Sequence, residues 1–323
     1  MSKEFVIETK DLTKQYGVLF WKKRVPALDK LTIQIPRGSV FGFLGPNGAG
    51  KTTTIKMLMD LIQPTSGSAT VLDCPVWDVN MKKRIGFLPD TPAFNGLMSA
   101  SEFLHVCAKL FRLPRKVRYQ RVQEVLETVQ MTAHAKEKLA GFSRGMLQRI
   151  GVAQALLNQP ELLILDEPLL GLDPYGRQDL KNIILEQNKK GTTVFFSSHI
   201  LADVQEICDR VAILNKGHLL CTGKISDLLH TENLVMRIKN GNDLVAGLMA
   251  DAKECQKKDN DTWELRFECS TPGVSEKLHS FCEEHKDKAE LIEQAESLED
   301  FFFRTIEANN KARQQAAEGI QES

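Results

Sequence analysis

The sequence has no apolar run approaching the ~18 residues that a membrane-spanning helix requires, so no segment is expected to cross a bilayer as a helix. Its first ten residues, MSKEFVIETK, have no apolar core, and no secretory signal is expected there. It has no C-x-x-C pair. Its seven cysteines (Cys74, Cys107, Cys208, Cys221, Cys255, Cys269, Cys282) are dispersed singly. An odd, scattered set argues against a disulfide framework or a zinc site and reads as reduced thiols. There is no excess of one charge either: 42 Lys and Arg face 42 Asp and Glu. That argues against a dominant nucleic-acid-binding surface. There are no internal repeats and no low-complexity block. What remains is an ordinary globular balance, 42% hydrophobic and 26% charged over 323 residues, a length for roughly two domains.

The stretch GPNGAGKTT organises the chain. It fits G-x-x-x-x-G-K-[ST], with Gly45, Gly50, Lys51 and Thr52 at the fixed positions. The short apolar run Ser39–Leu44 before it reads as a buried strand, and Thr53–Ile62 after it carries apolar residues at helical spacing. The motif needs this strand–loop–helix context. Gly48 and Gly50 let backbone N–H groups turn inward around phosphate oxygens, and the helix N-terminus adds positive potential at the same point. Lys51 is placed to reach β- and γ-phosphates, and the Thr52 hydroxyl to ligand Mg²⁺.

Further along, strands are expected at residues 4–9, Leu31–Pro36, Ser68–Leu72 and Arg84–Pro89, the last ending at Asp90. Between the first two lies the aromatic-basic loop Val18–Val25. From about Ser99 to Asn158 the pattern is helical, opening with a capping-box pair, Ser99 and Glu102. The run Glu161–Pro168 (ELLILDEP) is an apolar strand that ends in Asp166 and Glu167. In open α/β sheets that edge is where ligands bind. Asp166 is thereby placed to hold Mg²⁺ and Glu167 to polarise a water at the γ-phosphate. A second strand, Thr192–Ser198, ends at His199, which is placed to orient the same water. Strands are also expected at Arg210–Asn215 and His218–Gly223. Near Ser226–Asn233 the nucleotide-binding pattern stops. Strands alternating with helices then suggest a small α+β domain, followed by a polar tail (Asn309–Ser323) expected to fray.

The order of P-loop, FSRGM (Phe142–Met146), LLILDEP, GLDP (Gly171–Pro174) and SSHIL (Ser197–Leu201) resembles the ATP-binding-cassette (ABC) transporter ATPases over about residues 4–230. The resemblance implies an α/β fold. Its parts would be a P-loop NTPase core with a mixed sheet, an antiparallel β subdomain and a helical insertion at about 99–158, together filling residues 1–231. A small C-terminal α+β domain would occupy residues 232–323. It also implies ATP and Mg²⁺ as cofactors, and a nucleotide site made of Gly45, Pro46, Asn47, Gly48, Ala49, Gly50, Lys51, Thr52 and Thr53. Thr52, Asp90 and Asp166 would serve the metal, and Glu167 with His199 the catalysis. Tyr16 matches the aromatic residue that stacks on adenine. Ser143, Arg144, Gly145 and Met146 stand in the signature segment, and Asp173 in the D-loop.

Two departures from the family pattern stand out. The signature is commonly LSGGQ, whereas here Arg144 replaces a glycine; Ser143 and Gly145 are retained. Asp90 stands where many members carry glutamine. An acidic residue there, and a C-terminal domain ending in a motif like SLEDFF (Ser297–Phe302), resemble the branch that exports drugs, lipids and polysaccharides. The resemblance implies a second cassette, as a homodimer, that completes each ATP site. It implies integral-membrane permease subunits and a peripheral location on the cytoplasmic face of the membrane. The loop at Asp90–Asn95, with Pro92, Phe94 and Leu97 at the surface, would be one docking contact. A soluble ABC ATPase acting on nucleic acid or ribosomes is the competing reading. Against it, Lys51 and Ser143 lie only 92 positions apart (143 − 51) with no sustained heptads, and there is one cassette. No nucleic-acid partner is expected.

Overall fold

The computed structural model describes residues 4–17, 26–229, 231–239, 244–245, 247–249, 251–258, 262–268 and 273–321. The loop Val18–Val25 and Cys269 lie outside them. The chain divides into two compact units, Met1–Ile225 and Ser226–Ser323, at the start of the Ser226–Asn233 stretch where the sequence pattern changes and a few residues before the bound of 231 that the resemblance implies.

The first unit is built on a six-stranded sheet. Its strands are β4 (Val40–Leu44), β7 (Ile85–Leu88), β8 (Leu162–Asp166), β9 (Thr193–Ser198), β10 (Arg210–Asn215) and β11 (His218–Lys224). The order is β11-β10-β4-β9-β8-β7, with β10 through β7 parallel and β11 antiparallel at the edge. All residues of β4, β8 and β9 are buried. This is why they read as continuous apolar runs: central parallel strands are covered on both faces. The rings of Phe41 and Phe195 stack across β4 and β9 with centroids 6.0 Å apart.

A second, antiparallel sheet joins β1 (Phe5–Gln15), β2 (Pro26–Leu31), β3 (Gln34–Pro36), β5 (Ser66–Val71) and β6 (Cys74–Pro75). Helix α1 (Lys51–Leu58) packs with both sheets. One apolar cluster runs through Ile7, Leu31 and Ile35, then Ile55 and Leu58, then Phe43, Ile164 and Phe195. Each such side chain contributes roughly 1.5–3 kcal/mol on burial, so the loop preceding α1 is held from three sides. After the short α2 (Val79–Lys82) come α3 (Ala100–Leu110), α4 (Arg115–Thr128) and α5 (Arg144–Leu156). Ser99 and Glu102 form the capping box at the start of α3. Helix α5 lies directly on β7, where a Cβ at Gly86 would overlap the Ala155 carbonyl oxygen. Helices α6 (Pro174–Lys189) and α7 (Leu201–Ile207) complete the unit.

The second unit is an antiparallel sheet of β12 (Thr231–Lys239), β13 (Glu254–Lys257), β14 (Thr262–Glu268) and β15 (Ala289–Ala295), in the order β13-β14-β12-β15. Helices Val274–Glu284 and Leu298–Gln321 accompany it. Met236, Ile238, Leu265, Phe267 and Leu278 form its core. Leu298 and Phe302 of the SLEDFF segment are buried, and Ser297 caps its helix by accepting from the Asp300 backbone N–H.

Several sequence expectations shift. The expected strand Leu31–Pro36 is divided: Leu31 ends β2 and β3 begins at Gln34. The stretch from Asn309, expected to fray, is assigned to the last helix as far as Gln321; its Lys, Ala, Gln and Glu are strong helix formers. Of the apolar residues expected at the surface after β7, only Leu97 stands fully exposed. Pro92 and Phe94 are half-buried facing Gly151 of α5, and the Phe94 ring meets Phe103 edge-on at 5.2 Å.

Candidate functional site

The C-terminal ends of β4, β9, β8 and β7 are consecutive in the sheet, so residues distant in sequence converge on one edge. A cavity of about 550 Å³ opens there, lined by Asn47–Thr53 of the glycine loop with Asp90, Glu167 and His199. Two residues that the sequence did not single out, Ala27 and Leu170, complete its wall.

The loop geometry follows from its glycines. Gly48 and Gly50 have φ of 79° and 107°, left-handed values that side chains disfavour. A Cβ at Gly50 would come within 2.6 Å of the Ala27 carbonyl oxygen. Gly50 is also the N-cap of α1, with no side-chain cap bond. The first-turn N–H groups of α1 therefore face the cavity edge as donors with the helix dipole behind them.

Lys51 is buried, with Nζ donating to the Gly45 carbonyl at 2.7 Å and to that of Pro46 at 3.4 Å. The same Nζ lies 3.2 Å from Glu167 Oε1. The other Glu167 oxygen, Oε2, lies 2.9 Å from His199 Nδ1. Glu167 thus bridges the lysine that opens α1 and a histidine from the end of β9. Its own φ is 50°, an uncommon conformation for a residue with a Cβ and one of the kind that clusters at functional sites.

Asp166 is 2% exposed. Burial pushes its carboxyl above the usual range; hydrogen bonds from the Ser197 and Thr52 hydroxyls act the other way, and the charges of Asp90 and Glu167 push it further up. Thr52, Asp90 and Asp166 are thereby brought together. The sequence gives Ser197, the first residue of the SSHIL segment, no role of its own. Its Oγ donates to Asp166 Oδ1 at 2.6 Å and accepts from the Glu167 N–H at 3.0 Å. Ser197 pairs in register with Asp166 across the parallel β8–β9 ladder. A polar residue two before His199, on a strand adjacent to the carboxylate strand, was the available signal. Gln148 of α5 likewise donates to the Pro168 carbonyl at 2.8 Å from a buried position, fixing the segment just after Glu167.

The remaining expected residues do not line this cavity. Ser143 is the N-cap of α5, accepting from the Met146 N–H, and Asp173 is the N-cap of α6, accepting from the Gly176 N–H. The two segments meet each other: a Cβ at Gly171 would lie 2.7 Å from Arg144 Cζ, and one at Gly145 would lie 3.3 Å from a Leu172 methyl. Tyr16 stands 52% exposed just past β1, with Lys14 Nζ 5.4 Å from its ring centroid. Among the described residues, no three His, Cys, Asp or Glu side chains form a ready metal cluster.

A glycine loop opening a helix, a buried lysine, and carboxylates at the ends of adjoining parallel strands define a P-loop nucleoside triphosphatase. Comparison with known proteins narrows the class. A family model described as ABC transporter matches residues 28–170. An uncharacterised ABC transporter ATP-binding protein of Synechocystis is 39% identical over 93% of this chain and 84% of its own length. The bacitracin transport ATP-binding protein BcrA of Bacillus licheniformis is 41% identical over 67% of this chain and 68% of its own. A solved ATP-binding subunit of an ABC transporter superposes with a TM-score of 0.62 at 30% identity, covering 69% of this chain and 91% of that one. The chain belongs to the ABC transporter family as an ATP-binding, ATP-hydrolysing subunit. No helix among the described residues is long and apolar enough to cross a membrane.

Proposed function

We propose that this chain hydrolyses ATP to ADP and phosphate between two copies of itself, and that the closing and opening of the pair drives an exporter formed by separate membrane subunits. The Glu167 bridge to Lys51 and His199 is the observation that carries the catalytic part.

In this reading the Gly45–Thr53 backbone and Lys51 hold the phosphates. The incoming triphosphate competes with Glu167 for Lys51, and that competition releases Glu167 Oε1 to face a water at the γ-phosphate. Glu167 takes the water proton as general base, while His199 keeps its carboxylate oriented through Oε2. Thr52, Asp166 and Asp90 fit Mg²⁺: they are hard oxygen donors, and two of them already share a hydrogen bond. When bound, Mg²⁺ would neutralise charge developing on the phosphates. Ser197 holds the Asp166 carboxylate and the Glu167 backbone at fixed separation.

Ser143, Arg144, Gly145 and Met146 serve the nucleotide of the other copy. What supports this is their absence from the cavity wall of their own chain, together with a helix N-terminus and an exposed arginine that suit a phosphate. Asp173, two residues after the Gly171 beside which the Arg144 guanidinium lies, belongs to the same shared face. The permease contact is assigned to the loop after β7, with Leu97 as its exposed apolar point. Export is supported by Asp90 and by the buried SLEDFF segment. The second unit, 232–323, holds no part of the nucleotide chemistry in this reading.

The test is Glu167→Gln. The amide keeps the shape but cannot accept the water proton, so ATP binding should persist while turnover falls by at least ~10²-fold. Phosphate release under saturating Mg²⁺-ATP measures it. Near-normal turnover would remove Glu167 from its role.

A further inference from the structure

Between Glu102 and Glu124 the chain carries no carboxylate and six cations: Lys109, Arg112, Arg115, Lys116, Arg118 and Arg121. The whole chain is charge-neutral, so this is a local concentration. Arg121 is paired with Glu124. The other five have no carboxylate partner among the described residues, unlike Lys82, Arg84, Arg149 and Lys181 elsewhere in the same unit, which all do.

These cations surround the turn from α3 to α4, and apolar side chains stand out among them. Leu110 is 79% exposed and Tyr119 is 58% exposed, with Val106 and Val117 also exposed. The Tyr119 ring rests on His105, centroids 4.6 Å apart. Burial, then the charges of Arg118 and Lys109, hold the His105 imidazole below its ordinary value.

The backbone of the turn adds a second observation. Helix α3 ends with the Arg112 N–H bonded to the Lys109 carbonyl and the Leu113 N–H to that of Ala108. That pattern places residue 112 in the left-handed position where glycine is usual. Here it is an arginine with φ of 59°. Gln130 takes the same position at the end of α4, with φ of 58°; at 112 the residue so placed is one of the five cations without a carboxylate partner.

We propose that the α3–α4 turn seats on anionic phospholipid headgroups. Unpaired guanidinium and ammonium groups meet the phosphates, Leu110 and Val117 enter the headgroup region, and Tyr119 lies at its level, where amphipathic rings are favoured. Five unpaired cations match a surface of negative charge, each contributing to binding within a Debye length; Glu102, which lines a groove with Lys109, Arg115 and Arg118, is itself paired with Lys138. No residue of the nucleotide cavity takes part.

The test is co-sedimentation of the full chain with vesicles of phosphatidylcholine alone and of phosphatidylcholine mixed with phosphatidylglycerol. Binding is expected only to the mixed vesicles and should weaken as salt rises. The triple variant Arg112→Gln, Arg115→Gln, Lys116→Gln should bind them about 10²-fold more weakly and retain ATP binding. Arg112→Gly separates charge from folding. It should bind vesicles roughly fivefold more weakly while melting at a higher temperature, because it relieves the left-handed residue. Equal binding to both vesicle types, or full vesicle binding by the triple variant, overturns the proposal. So does a triple variant that still binds vesicles but no longer captures the membrane subunits, which would give the face to an acidic protein partner.

Discussion

Asp166 pays for its position in stability. It is an almost fully buried carboxyl whose ionised form is disfavoured first by burial, and then, after partial relief from Ser197 and Thr52, by Asp90 and Glu167. The direction of the pH effect follows. Between the ordinary carboxylate value and the raised one, the folded chain holds a proton that the unfolded chain has lost. The contribution to stability is therefore greatest at low pH, falls as pH rises through that window, and stays reduced at neutral pH. Asparagine keeps the volume and still accepts from Ser197. Asp166→Asn is expected to raise the melting temperature at neutral pH and to flatten its slope across the window, while impairing Mg²⁺-dependent hydrolysis. Melting curves across that pH range for both proteins decide it; a variant that melts lower at neutral pH would mean that the ionised carboxylate supports the fold. Tyr16 makes a separate case. Its ring is half-exposed and touched on one side by Lys14, leaving a face for a nucleobase. Tyr16→Ala should weaken ATP binding by ~1–3 kcal/mol with little effect on turnover at saturation. A titration with a fluorescent ATP analogue that gives equal affinities would leave Tyr16 as an ordinary surface residue.

Elements were legible in the sequence where one physical cause dominated. β4, β8 and β9 announced themselves because all their residues are buried, and their polar ends marked the site edge. Ser99 and Glu102 announced α3 because a capping box satisfies two backbone donors reciprocally. Ser99→Ala removes that arrangement and should cost about 1 kcal/mol of stability, read as a shift in the denaturant midpoint with unchanged slope. No shift would mean that the Ser99–Lys138 bridge alone holds the helix start. β2 was not legible: PALDKL has a proline and two charges, and only its pairing with β1 makes it a strand. β13, an edge strand reading ECQK, was missed for the same reason. The site divided along the same line. Residues in a local motif, such as Lys51 and Glu167, could be named, whereas Ser197, Ala27 and Leu170 depend on which strands lie side by side. The motif also said nothing of where Ser143 would sit relative to Lys51.

At the scale of the whole molecule, the unit Met1–Ile225 carries both a phosphate cradle and, away from it, a second phosphate-ready face. The cradle is formed by Lys51 and the glycine loop. The face is formed by Ser143, Gly145 and Arg144, held against the segment leading to Asp173. In the proposed reading a single copy leaves that face without a nucleotide of its own, and two copies head to tail would give each cradle the other's face, a closed two-fold arrangement. The measurement that bears most directly on this is the mass in solution, with Mg²⁺-ATP, of Glu167→Gln and of Glu167→Gln with Ser143→Arg. Glu167→Gln alone is expected to have the mass of a dimer, and the double variant that of a monomer that still binds ATP, because Ser143 is remote from its own cradle. A double variant that remains dimeric, or one that loses ATP binding as a monomer, would contradict a site shared between two copies.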